Sequence, residues 1–377
     1  MGMKKFIVVP DSFKGTLTSK EICGIMKDKI LEHYPSAEVI TLPVADGGEG
    51  SVDCFLSAVG GELIKIKAKN PLFEEIDSFY GLIGGGKTAV VEMAAAAGLP
   101  LIEDRKNPLI ATTYGVGELM LDAVRRGACE IILGLGGSAT NDFGCGAAAR
   151  LGVRFYDESG ESFIPTGKTL MRVQKIDASG VLPEIKNTKI TLMCDVKNPV
   201  FGERGAAYVY APQKGASADD VMLLDSGLRH ITEVVARELS VDVSTLAGGG
   251  AAGAMAAGMA AFFGAKIKMG IDAVLDAVDY DKLLSGADAV FTGEGKLDSQ
   301  SLEGKVIYGV ASRAKKCCVP VIALVGGIDG DVSEIYRVGV NSVFSINRMP
   351  EDFSTARYKS RENLAFAFDN LLRILKI

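Results

Sequence analysis

The stretch Cys129–Gly152, CEIILGLGGSATNDFGCGAAARLG, decides how the chain is read. It opens on a short apolar run of Ile and Leu, which marks a buried strand. Gly134–Asp142 is glycine with small hydroxyl and amide residues, and Gly144–Leu151 is alanine-rich and helical in character. A strand that feeds a glycine loop and then a helix offers backbone N–H groups and a positive helix end to a phosphate. Ser138, Thr140 and Asn141 add donors, and Asp142 adds a carboxylate where a metal-bound phosphate would sit. The plainer alternative is a tight strand-to-helix turn that uses glycine for close packing.

Two other motifs compete with this reading. Gly134, Gly136 and Ala139 fit the dinucleotide pattern G-x-G-x-x-A, and Asp157 follows a strand-like run, Val153–Tyr156, where a ribose-binding acid belongs. An NAD(P)-dependent oxidoreductase is therefore the alternative function. Against it, Asp142 would set a negative charge beside a pyrophosphate. The second rival is Gly81–Thr88, GLIGGGKT, which satisfies the P-loop pattern in letters. A P-loop needs a strand before it and a helix after it. Here Asp77–Ile83 and Ala89–Met93 both read as strands, so a hairpin turning at Gly84–Lys87 is expected.

Working outward, strand and helix alternate along the chain. Lys5–Val9, Glu38–Pro43, Ala289–Thr292, Val319–Val325 and Ser342–Ile346 read as strands. Ser19–Leu31, Leu302–Lys315 and Glu362–Leu375 read as helices. Such alternation implies α/β architecture with mostly parallel sheets. At 377 residues the chain is too long for one ordinary core, and its 48% apolar content fills more than one. The middle is richer in hairpins and glycine, which suggests an inserted domain. We expect residues 1–70 with 285–377 to form a discontinuous Rossmann-like domain, and 71–284 an inserted α/β domain carrying the glycine loop.

Charge and composition exclude several classes. A net charge of −6 without basic clusters argues against nucleic acid. The seven cysteines are scattered and lack metal spacing, so buried free thiols in a reducing cytoplasm are expected. The chain enters a strand at Lys5, so no signal peptide is expected. Leu246–Ala265 is uncharged, but mostly Ala and Gly. Met255, Met259, Phe262 and Phe263 recur at helical spacing there. We read a buried helix starting at Gly248–Gly250, packed through small residues, rather than a membrane span; the functional alternative for this start is a second helix N-terminus facing a nucleotide.

Ligands in open α/β sheets collect at the carboxyl ends of strands. Four such ends carry dense polar residues: Pro10–Thr16, Ala45–Gly50, Cys194–Pro199 and Thr292–Gln300, with Lys305 placed in the helix that follows. Each alone reads as a turn; together, beside the 136–142 loop, they read as a site. His33 and His230 both have polar neighbours and read as solvated, so histidine-based nucleophilic catalysis has no base. Carboxylates, lysines and glycine loops suit phosphoryl transfer, which needs positioning and charge neutralisation more than a nucleophile. A non-enzymatic acid sensor is disfavoured, since it needs no carboxylates beside a phosphate loop.

Taken together, PDSFKGTLTS (10–19), PVADGGEGS (43–51), GLGGSATNDFGCGAA (134–148), CDVKNPVFGERGAA (194–207), APQKGAS (211–217) and FTGEGKLDSQSLEGK (291–305) closely resemble the bacterial glycerate kinase family. The resemblance runs from about residue 4 to about residue 373. It implies two α/β domains, the second inserted into the first with an active-site cleft between them, and ATP-dependent phosphorylation of D-glycerate, 2-phosphoglycerate being favoured over 3-phosphoglycerate. It implies ATP and Mg²⁺ as cofactors. Partners are then glycerate, ATP and a second copy of the chain in a homodimer, without nucleic acid or membrane. Phe143, Cys145, Thr16 and Gly248–Ala252 depart from the usual pattern without removing a charge.

Combining both readings assigns roles. Ser12 and Lys14, with Gly47 and Gly48, bind the substrate. Asp11, Lys14, Asp46 and Asp195 are the catalytic candidates, the base being one of Asp11, Asp46 and Asp195. Gly136, Gly137, Ser138, Thr140 and Asn141 receive phosphate, with Lys214 and Lys305 neutralising it. Asp195, Glu294 and Asp298 are the candidate Mg²⁺ ligands.

Overall fold

Val8, Val290 and Val321 sit on neighbouring parallel strands and are wholly buried, the pattern of a sheet covered on both faces. In this computed structural model, residues 4–44, 50–298 and 305–376 are described. In chain order the strands are β1 Lys5–Pro10, β2 Glu38–Thr41, β3 Glu62–Lys69, β4 Glu75–Ile83, β5 Thr88–Glu92, β6 Glu130–Gly134, β7 Arg154–Tyr156, β8 Ser162–Phe163, β9 Lys175–Asp177, β10 Lys189–Met193, β11 Lys266–Lys268, β12 Ala289–Glu294, β13 Val321–Val325 and β14 Val340–Ser345.

The chain divides into two compact units, Met1–Ala45 with Ser57–Val59 and Met269–Ile377, and Asp46–Leu56 with Gly60–Lys268. The first holds a parallel sheet in the order β14-β13-β12-β1-β2. Its helix Ser19–His33 starts at Thr18, where a capping box joins the Thr18 and Glu21 side chains to each other's backbone N–H. His33 is not solvated as expected: it is half-buried and lies 2.8 Å from Asp369 on the helix Ser360–Leu375. His230 likewise is half-buried against Val173 O at 2.7 Å.

The second unit holds a sheet in the order β11-β10-β6-β5-β4-β3 and a small antiparallel sheet, β8-β7-β9. Strands β5, β6, β10 and β11 are parallel, while β3 and β4 run antiparallel at the edge. The expected first junction at residue 70 falls after β3, yet β3 is hydrogen-bonded along its length to β4 and so belongs to this second sheet. Eight paired positions along the hairpin decide this. At the other end, Met269–Leu284 groups with the first unit, so the division comes near 268 rather than 284.

The GLIGGGKT segment is a hairpin. Ile83 pairs with Thr88 across a turn in which Gly84, Gly85 and Gly86 all take positive φ. No helix follows, and Lys87 is exposed. Lys87→Ala is therefore expected to leave kcat and KM for ATP within about twofold; a hundredfold loss in an intact protein, about 2.7 kcal/mol, would show a P-loop after all.

The helix Ala251–Phe263 is buried along almost its whole length. Its small residues let backbone approach backbone: a Cβ on Gly258 would lie 1.9 Å from Phe143 O. Among the described residues no helix is long and apolar enough to cross a membrane. All seven cysteines are free; Cys23, Cys145 and Cys194 are buried, while Cys129, Cys317 and Cys318 are exposed, contrary to the expectation of buried thiols.

Candidate active site

In the second unit the carboxyl ends of β5, β6 and β10 open on a cavity of about 530 Å³. Its polar lining comes from Gly136–Ser138 after β6, Asp195 after β10, and Gln213 and Lys214; Leu99, Leu135, Met193 and Tyr210 supply much of its apolar wall. A concave, largely apolar space with a few convergent polar groups is the usual form of a small-molecule site.

The glycine loop is stitched in place. Gly137 at φ +74 turns the chain, Leu99 N–H donates to Gly137 O at 2.8 Å, and Ala139 N–H donates to Ala97 O at 2.9 Å. Lys214 reaches the loop from a short turn, Pro212–Lys214, ended by Gly215 at φ +95. Its ammonium donates to Thr140 O at 2.7 Å and to Ser138 Oγ at 3.3 Å. Only 3% of Lys214 is exposed. Burial brings its ammonium down to about 7, while the charge of Asp142 acts the other way.

In the helix that follows the loop, where the sequence suggested a phosphate, the opening N–H groups already have acceptors within the protein. The helix Cys145–Arg150 has its first turn already occupied: Asp142 accepts from Gly144 N–H and Gly146 N–H at 3.1 and 3.2 Å, and Thr113 Oγ1 accepts from Ala147 N–H at 2.9 Å. Asp142 also accepts from Thr113 N–H and Oγ1, each at 2.8 Å. It is fully buried, and desolvation raises its carboxyl above the usual range against those four bonds. Asp142 is thus an internal cap and not a metal-side carboxylate. Phe143 takes φ +57, a backbone that glycine adopts without strain.

The dinucleotide reading fails on topology. β7, which should continue the βαβ unit, lies in the separate three-stranded sheet. Asp157 caps its own turn, accepting from Ser159 N–H and Oγ and from Glu161 N–H, and pairs with Arg172 at 2.8 Å. The Ser159 and Arg172 bonds hold its carboxyl down at about 2.

The first unit brings a second set together. β1 pairs with β12, so Pro10–Lys14 and Glu294–Asp298 leave adjacent strand ends. Asp11 N–H donates to Gly293 O at 2.8 Å, and Ser12 N–H to Asp11 Oδ1 at 2.6 Å. A Cβ on Gly295 would lie 3.3 Å from Lys14 N, so glycine lets the two loops touch. Glu294 is buried, Lys14 exposed, and Asp298 intermediate beside Lys296. Lys305 caps the helix Val306–Lys316 in extended conformation rather than lying inside it. Asp46, Gly47 and Gly48 lie outside the described residues. The three candidate metal ligands are divided, Glu294 and Asp298 in the first unit and Asp195 in the second. Among the described residues no group of three or more His, Cys, Asp or Glu is placed to hold a metal ion.

Two contributors were missed in the sequence. Thr113 organises Asp142, and nothing local marks it. Glu92, 3% exposed at the end of β5, accepts from Val52 N–H at 2.7 Å in the first turn of the helix Ser51–Val59. A lone carboxylate ending the apolar run TAVVE was its signal.

The sequence model described as the Glycerate kinase family matches residues 6–376. A glycerate kinase of Bacillus cereus is 41% identical over 374 residues, covering 99% of this chain and 98% of that one. A glycerate 2-kinase of Escherichia coli is 40% identical over 374 residues, covering 99% and 98%. A crystal structure of a protein assigned as glycerate kinase 2, from Salmonella typhimurium, superposes with a TM-score of 0.88 at 38% identity, covering 100% of this chain and 99% of that one.

Proposed function

Because this chain belongs to the glycerate kinase family, we propose that it transfers the γ-phosphoryl group of ATP to a hydroxyl of D-glycerate, with 2-phosphoglycerate as product. The observation that carries the reading is the buried Lys214 ammonium set into the glycine loop beside a cavity of about 530 Å³. A cation, hydroxyls and backbone donors in a dry site stabilise the charge that spreads over a transferring phosphoryl group. The glycerate hydroxyl oxygen forms a bond to Pγ, the bond from Pγ to the β,γ-bridging oxygen breaks, and ADP leaves. The hydroxyl proton passes to a carboxylate, one of Asp11, Asp46 and Asp195.

Lys14 and Ser12, beside Asp11 at the end of β1, suit the carboxylate and hydroxyls of glycerate. Mg²⁺ prefers one or two carboxylates with phosphate oxygens and water, and Asp195 on the cavity wall offers such a carboxylate. When bound, the ion neutralises phosphate charge. Glu294 and Asp298 are the corresponding candidates at the end of β12, and Lys305 a further cation. Free thiols throughout support a reducing compartment, the cytoplasm. A homodimer belongs to the same reading and is checked by light scattering.

Coupled ADP release with D-glycerate and Mg²⁺ tests the reaction, and ³¹P NMR of the product identifies the hydroxyl. ATP consumption no faster with glycerate than without it sinks the proposal, as does activity that survives EDTA for the metal. Lys14→Ala is expected to raise KM for glycerate tenfold or more with little change in kcat, because a fixed cation meets the carboxylate in ground and transition states alike. Asp195→Ala is expected to lower kcat instead, as a group felt mainly in the transition state does. Steady-state kinetics with each substrate varied separately check the pair. A Lys14→Ala effect on KM for ATP alone, or full kcat in Asp195→Ala, reverses the placement.

A further inference from the structure

Three of the six residues in Ala45–Gly50 are glycine, which loses more conformational freedom on folding than any other residue. Such a segment is placed by what holds its ends. On one side Ser19, which is buried, accepts from Val44 N–H at 2.9 Å and donates to Pro10 O at 2.6 Å. The residue that precedes the segment is thereby joined to the end of β1. On the other side Glu92, also buried, accepts from Val52 N–H at 2.7 Å. Each anchor is a side chain brought from outside the segment, and each takes a main-chain N–H.

The helix Ser51–Val59 depends on the second anchor. The first N–H groups of a helix have no acceptor within it. Its N-cap is Gly50 at φ +88, which has no side chain to supply one. Val52 is wholly buried, so the acceptor has to come from the protein. Glu92 provides it from the end of β5, where it stands opposite Gly134 of β6. A carboxylate at this point also meets the positive end of the helix. The helix is seated closely: a Cβ on Gly81 of β4 would lie 3.1 Å from Val52 Cγ1. Burying a carboxylate at the end of an otherwise apolar strand is costly unless it is hydrogen-bonded.

We infer that Glu92 is a positioning residue for the reaction: by holding Val52 N–H it fixes where the segment that carries Asp46, Gly47 and Gly48 joins the second unit, as Ser19 fixes where it leaves the first. This rests on the substrate and catalytic roles proposed above for that segment. Glu92 acts through the main chain and is not among the residues that line the cavity. Its loss therefore falls on glycerate and on turnover, and leaves the nucleotide alone.

The test is steady-state kinetics with each substrate varied, calorimetric titration with ATP, and thermal melts, on wild type, Glu92→Gln, Glu92→Ala and Gly50→Ala. Glu92→Ala is expected to raise KM for glycerate about tenfold and lower kcat about tenfold, with ATP affinity within about twofold of wild type. Glutamine keeps an acceptor oxygen, so Glu92→Gln is expected to restore both constants to within about threefold. Gly50→Ala reaches the same joint without touching the carboxylate. Nothing lies within 4 Å of its added Cβ, so only the backbone at φ +88 is strained. It is expected to move the same two constants in the same direction, and it decides the matter if Glu92→Ala folds poorly. Wild-type constants in Glu92→Ala or, where that variant does not fold, in Gly50→Ala overturn the inference. So does an equal loss of ATP affinity, or a Glu92→Gln protein as impaired as Glu92→Ala, which would make the charge itself the requirement. A wild-type protein whose ATP consumption ignores glycerate overturns the kinase reading and this inference with it.

Discussion

Replacing Lys214 by methionine is expected to lower kcat/KM for ATP about a thousandfold in a protein that folds at least as well as wild type. The figure corresponds to about 4 kcal/mol of transition-state stabilisation, the scale of one preorganised charge in a dry site. The ammonium is 3% exposed, so water does not compensate for its loss. Methionine matches the length of the stem and removes a charge whose burial is costly without ligand. The effect of pH follows from the same group. Its folded-state value is about 7, below that of an unfolded lysine near 10.4. The unfolded chain therefore binds more protons between those limits, and this group's contribution to stability rises with pH from about 7 upward. ATP affinity runs the opposite way, because phosphate needs the charged form. The kcat/KM profile for ATP should fall above about pH 7, while kcat, measured with phosphate bound, falls less. Asp142, Cys194, Asp195 and Tyr210 are the other titratable groups around this cation, and burial moves Asp142, Cys194 and Tyr210 upward. Lys214→Arg should abolish the fall. A flat profile in wild type removes the role given to Lys214.

Asp142→Ala is expected to cost about 3–5 kcal/mol of stability, a magnitude typical of stripping the partner from a buried hydrogen-bonded charge. Four donors, Thr113 N–H and Oγ1, Gly144 N–H and Gly146 N–H, lose their acceptor in a place that water does not reach. Asp142→Asn is expected to cost less, since an amide oxygen still accepts, but its NH₂ group faces donors. Urea midpoints of the three proteins check the order. Because Thr113 is joined to Asp142 and to Ala147, Thr113→Val should add little to Asp142→Ala, and a double-mutant cycle should show strong coupling. An Asp142→Ala protein as stable as wild type would show that the loop is held by its glycines alone.

Much of the α/β plan was legible because its signals are local. Ala289–Thr292 and Asp77–Ile83 read as strands from the sequence, and they lie within β12 and β4. The order of elements around GLIGGGKT spoke against a P-loop in the sequence, because a second strand-like run, Ala89–Met93, follows where a P-loop needs a helix. The clustering of polar residues at strand ends was legible for the same reason: turn chemistry is written in adjacent residues. Gly136, Ser138, Asp195 and Lys214 do line one cavity.

What adjacent residues do not encode is which partner a group finds across the fold. The sequence of 134–148 shows that donors and a carboxylate are present, but not that Asp142 turns inward to cap the helix behind it. That choice depends on Thr113, 29 residues away. The membership of β3 in the second sheet depends on its pairing with β4, and the failure of the dinucleotide reading on β7 lying in another sheet. His33 reads as surface until Asp369 is brought against it from 336 residues along the chain. The family, the elements and the residue types needed for phosphoryl transfer were thus determined by the sequence alone, through short-range periodicity and motif order. Tertiary structure alone decided that the first turn of the helix Cys145–Arg150 is satisfied from within, by Asp142 and by the distant Thr113, because a buried N–H is satisfied by whatever acceptor packing delivers, and packing is a property of distant segments.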